Sequence, residues 1–108
     1  MANFLIQAAY TREAWSAMVK KPQNRAQAIQ PVIERLGGSI KGIWLSFGEY
    51  DTLAVVEMPD NVSAAAFSLA ASAGGAVKAL KTTPLMTVEE GMAAMKKAGE
   101  IGYKPPAD

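Results

Sequence analysis

Two segments of the chain share one pattern. Leu36-Gly37-Gly38-Ser39-Ile40-Lys41-Gly42-Ile43 and, 37 positions on from Leu36 to Ala73, Ala73-Gly74-Gly75-Ala76-Val77-Lys78-Ala79-Leu80 each place a glycine pair before a short apolar run. A glycine pair after helically spaced apolar residues stops a helix, because glycine takes the left-handed backbone that closes the last turn. The run that follows has the composition of a strand. A chain that makes this transition twice consists of two strand–helix–strand halves.

The rest of the sequence fills in those halves. Asn3 to Tyr10 reads as a first strand, with Phe4, Ile6, Ala8 and Tyr10 on one face and Leu5, Gln7 and Ala9 on the other. Thr11 is placed to cap a helix, Glu13 lies in its first turn, and Trp15, Met18 and Val19 form a helical stripe. Pro22 interrupts that helix. A second piece resumes near Asn24 with Ile29, Ile33 and Leu36 inward, and Pro31 inside it is expected to kink or split it. Ser39 to Phe47 reads as the second strand, Thr52 to Met58 as the third, and Asp60 as the cap of a helix over Asn61 to Ala73, whose larger apolar groups are Val62, Phe67 and Leu69. Ala76 to about Thr83 reads as the fourth strand. Thr87-Val88-Glu89-Glu90 is a capping box opening a short last helix with Val88, Met92 and Met95. The expected fold is α+β: a ferredoxin-like βαββαβ unit with a four-stranded antiparallel sheet and an added C-terminal helix. Residues 1–103 form one domain in this reading, and 104–108 form a tail.

Half of the 108 residues are hydrophobic, enough for one core. There is no cysteine and no histidine, which removes disulfides, thiol nucleophiles, Cys/His zinc sites, His-ligated haem and Ser-His-Asp catalysis. The acids are scattered, so no metal cage is expected, and no phosphate-binding loop is present, so no cofactor is expected. A net charge of +1 with interspersed signs gives no nucleic-acid footprint. Lys20-Lys21 and Lys96-Lys97 are short pairs suited to helix C-termini. No segment approaches the roughly 20 apolar residues of a membrane span. The opening Met1 to Tyr10 lacks the basic start of a signal peptide, and a cytoplasmic protein is expected.

Two helices on one face of such a sheet leave the other face bare. That face is expected to be apolar as well. The second strand alternates Ile40, Gly42 and Trp44 against Ile43, Leu45 and Phe47, and the third alternates Ala54, Val56 and Met58 against Leu53 and Val55. Soluble monomers seldom expose such a surface. The expected remedy is a homodimer packed sheet on sheet, with higher assemblies open. The alternative is a C-terminal helix folded over the face within one chain.

Between the middle strands lies Ser46-Phe47-Gly48-Glu49-Tyr50-Asp51. Together with Leu36-Gly37-Gly38, Lys41-Gly42 before an aromatic, and Pro59-Asp60, the Gly48-Glu49-Tyr50-Asp51 stretch resembles the GYD family of small prokaryotic proteins. The opening strand with Thr11, and the Pro22/Arg25 pair, fit more loosely, and the likeness runs to about Thr87. The resemblance implies a dimeric α+β barrel of ferredoxin-like units, with no established activity. The alanine-rich second helix departs from the family pattern and is expected to alter surface more than fold.

Two readings of this stretch stand side by side. In one it is a hairpin device: Gly48 supplies a positive φ and Asp51 accepts backbone N–H groups at the turn. In the other, Tyr10, Trp15, Trp44, Tyr50 and Asp51 ring a small molecule at the barrel mouth, where a carboxylate could serve as a base. Both tryptophans are equally suited to filling a core. Three functions follow: a small-molecule binding module, a cofactor-free enzyme of the kinds such barrels host (monooxygenase, isomerase or dehalogenase), and a purely architectural subunit.

Overall fold

The computed structural model describes residues 1–107. Along the chain these form β1 (Ala2–Tyr10), α1 (Arg12–Lys20), α2 (Arg25–Arg35), β2 (Ser39–Leu45), β3 (Thr52–Met58), α3 (Asn61–Ala73), β4 (Val77–Leu85) and α4 (Val88–Glu100). The strands lie in the order β2-β3-β1-β4, and all three pairings are antiparallel. Each helical crossover skips one strand, which the other half supplies, so the two halves interleave. This is the expected ferredoxin-like α+β architecture.

The core lies between the sheet and helices α2 and α3. Phe4 and Ile6 of β1, Ala54, Val56 and Met58 of β3, Ile33 of α2, and Ala64 and Phe67 of α3 are buried together. Burying each of the larger side chains contributes about 1.5–3 kcal/mol. Ile40 and Ile43 both pack on this core, although strict alternation puts them on opposite faces. A register shift between Ile40 and Gly42 supplies the extra residue that reverses the alternation. The indole of Trp44 then lies over Gly42, where a Cβ would approach its ring to 2.5 Å.

The helix ends follow local chemistry closely. Thr11, Asn24, Asp60 and Thr87 each accept a backbone N–H of the first turn, and Thr87 with Glu90 completes a capping box. At the end of α2 the Gly37 N–H donates to Glu34 O (2.9 Å) and the Gly38 N–H to Ile33 O (3.0 Å), with Gly37 at φ 83°. These two bonds are the Schellman motif. Gly38 also lies against Glu57 O and Met58 Sδ, leaving no room for a side chain.

Several expectations are corrected. Pro31 does not split its helix: α2 is continuous through it, and the break falls between Lys20 and Arg25, around Pro22. The Trp15, Met18 and Val19 stripe is not buried, for α1 has no buried residue. In α3, Phe67 is buried but Val62 and Leu69 are exposed. β2 ends at Leu45 and leaves Phe47 fully exposed, whereas β4 continues through Pro84, an edge position where proline is tolerated. The last helix is 13 residues long, and Val88, Met92 and Met95 all face solvent. It therefore does not cover the open sheet face. No helix among the described residues is long and apolar enough to cross a membrane.

Candidate functional site

The hairpin between β2 and β3 closes through its own backbone. The Ser46 N–H donates to Asp51 O at 2.8 Å, and the Ser46 hydroxyl to Tyr50 O at 2.7 Å. Gly48 does not have a positive φ, and the space a Cβ would occupy is empty, so its expected role in the turn is not used. Asp51 does accept a backbone amide, but not one in the turn. Its Oδ2 accepts the Tyr10 N–H at 2.9 Å and the Trp15 indole N–H at 3.2 Å, and its own N–H donates to Ala8 O at 2.8 Å. One carboxylate thus ties the end of β1, the first turns of α1 and the start of β3. The rings of Tyr10 and Trp15 meet edge to face, 5.4 Å apart at 88°. Behind them the Thr52 hydroxyl donates to the Tyr10 hydroxyl at 2.9 Å, both groups being buried.

Three spaces open around this cluster. A cavity of about 330 Å³ lies between the sheet and helices α2 and α3. Its floor includes Ala8, Ala54, Tyr10 and Thr52, and its walls include Ala28, Ala70 and Ala71. A cleft of about 520 Å³ runs along α1 and the α1–α2 link, with Trp15, Met18, Pro22 and Trp44 on its sides. A shallow groove of about 440 Å³ at the hairpin is lined by Gln7, Phe47, Tyr50 and Lys81.

Tyr10, Trp15 and Asp51 are therefore joined as one unit, and Trp44 shares the outer cleft with Tyr10 and Trp15. Tyr50 lies in the groove beside Gln7 and Lys81, apart from the cleft that Tyr10, Trp15 and Trp44 share. Sequence reasoning gave no site role to Thr52, Arg25 or the alanines. Tyr10 and Arg25 line both the cavity and the cleft, and so form the boundary between them. Arg25 donates from Nη1 to the neutral Gln23 Oε1 at 2.8 Å. The one ion pair among the described residues is Lys41–Glu57, at 3.8 Å, so the charge of Arg25 has no carboxylate beside it there. Among the described residues no three acidic side chains gather to hold a metal ion.

An antiparallel βαββαβ sheet with an apolar space beneath its helices defines the class: a ferredoxin-like α+β domain with a small-molecule-sized cavity. The GYD domain family model matches residues 4–95, and the chain belongs to that family. The match runs past Thr87 into α4. No curated protein and no solved structure matches the chain.

Proposed function

We propose that this chain is a cytoplasmic, homo-oligomeric small-molecule binding module whose ligand lies between the sheet and helices α2 and α3. The observation that carries this reading is the cavity of about 330 Å³. Its size falls at the lower end of the roughly 300–1,000 Å³ of ligand pockets, and its lining combines apolar side chains with a few polar groups. A folded core normally closes such a space, because unfilled volume forfeits dispersion contacts. The polar groups in the wall also bear on the choice between binding and catalysis. Tyr10, Thr52 and Arg25 offer hydroxyls and a guanidinium, which orient a ligand, and no carboxylate lines the cavity to accept a proton.

Thermal melting with small apolar probes such as indole and 4-methylphenol tests the reading. A saturable rise in melting temperature is expected for the parent, since binding to the folded state alone stabilises it. Ala8→Leu places a larger side chain on the cavity floor and is expected to abolish the rise. Probes that leave the parent unchanged, or that stabilise Ala8→Leu equally, defeat the proposal.

A further inference from the structure

The chemistry of the boundary between cavity and cleft specifies the ligand further, on the premise that the cavity is a binding site. Tyr10 and Thr52 are 6% and 7% exposed, and their hydroxyls share a single hydrogen bond. Two hydroxyls carry two donor protons, and one bond uses one of them. With Thr52 donating, the Tyr10 proton is unmatched. A buried donor without an acceptor is costly, so this position favours an occupant that brings an oxygen acceptor.

Arg25 stands at the same boundary, partly exposed, and offers a charge there. Its guanidinium is held by a neutral amide, and no carboxylate of the described residues pairs with it. It carries five donors in a planar fork suited to a carboxylate. Beyond it the cavity wall is aliphatic and aromatic, with Ile6, Ile29, Val32, Phe67 and Leu80 among its residues. A positive fork at the rim and a spare hydroxyl proton on the floor of an apolar space match an apolar body ending in an anionic head.

We infer that the ligand is an apolar carboxylate, its head group accepting from Arg25 and the Tyr10 hydroxyl and its hydrocarbon body lying between the sheet and helices α2 and α3. The inference concerns the class of molecule, and it makes Arg25 the residue that selects for charge.

Three eight-carbon probes that differ only in the head group provide the test: octanoate, octan-1-ol and octylammonium. Each is titrated into the full chain while tryptophan emission is followed, since Trp15 touches the ring of Tyr10. Octanoate is expected to bind at least about tenfold more tightly than octan-1-ol, the usual scale for a charge-assisted hydrogen bond. Octylammonium is expected to bind most weakly. Arg25→Met should bring octanoate down to the affinity of the alcohol for the same variant, whereas Arg25→Lys should retain most of the preference. The comparison of probes on the parent protein does not depend on any variant folding. If the alcohol or the ammonium binds as tightly as octanoate, the anionic assignment is overturned and the cavity reading survives. If Arg25→Met keeps the full preference, the role of Arg25 is overturned. If none of the three binds saturably, this inference and the binding-module reading fail together.

Discussion

Asp51 shows how one side chain can serve a fold through distant rather than local contacts. It accepts from the Tyr10 N–H and the Trp15 indole on a single oxygen, and so holds α1, which buries no residue of its own, against the sheet. Removing that oxygen leaves the part-buried Tyr10 N–H without a partner and returns the exposed Trp15 indole N–H to solvent. Asp51→Ala is expected to destabilise the fold by about 1–2 kcal/mol, the usual loss for a carboxylate that satisfies backbone and side-chain donors. Asp51→Asn should cost less, because its carbonyl can still accept. Thermal melting measures the loss, and hydrogen exchange locates it, since α1 amides should exchange faster in the alanine variant. A variant that melts with the parent and keeps α1 protected would show the tie to be unimportant. The residue was readable in the sequence as a turn-pinning acid, but its partners were not. Tyr10 lies 41 positions away, and only the sheet brings it near.

At the scale of elements, α3 has a cap whose charge can be tested. The Ser63 backbone N–H donates to Asp60 Oδ1 at 2.7 Å and, with the Ser63 hydroxyl, holds the Asp60 carboxyl below its ordinary 3.8. A carboxylate lowered in the folded state contributes stability above 3.8 that is lost as pH falls through its folded-state value. The group is exposed, so the contribution is small. Asp60→Ala should melt below the parent at neutral pH, and the gap should narrow once the pH drops under 3.8. A gap that is the same in acid would mean that the charge plays no part. Caps of this kind were legible because they depend on residues three positions apart. The helix stop at Gly37-Gly38 was legible for the same reason. The shift in β2 was not, since it is set by how Ile40 and Ile43 both reach one core. The cavity was also hidden, because it is made of small side chains drawn from separate elements. The alanine-rich stretch of α3 was its one signal: Ala70 and Ala71 line the open side of the space.

The whole molecule is extended for its length. Its radius of gyration is 17.4 Å, against about 13 Å for a compact chain of this size. Helix α4 buries none of its residues. The sheet face away from α2 and α3 is mixed: Leu5, Leu53 and Val55 lie together, with Trp44 and Leu85 exposed toward its margins, and Asn3, Gln7, Glu57, Lys81 and Thr83 share the face. With α4 standing clear, a second copy is the expected cover for that face. Light scattering at micromolar concentration should give twice the 11.4 kDa of the chain, and Val55→Lys should return it to one copy by burying a charge at the centre of the contact. A parent that scatters as a monomer sinks the sheet-on-sheet dimer, and a variant that stays paired moves the contact elsewhere. The edges of the same sheet have a separate consequence. Along β2 the register shift and Lys41 break the row of backbone groups, and along β4 Pro84 removes one N–H. A stray strand therefore meets an interruption on each edge, within β2 and near the end of β4. Pairing face to face would use up the apolar part of the open face, whereas pairing edge to edge would leave it bare. If copies do pair through the sheet face, this asymmetry between face and edges favours closed pairs over open-ended fibres.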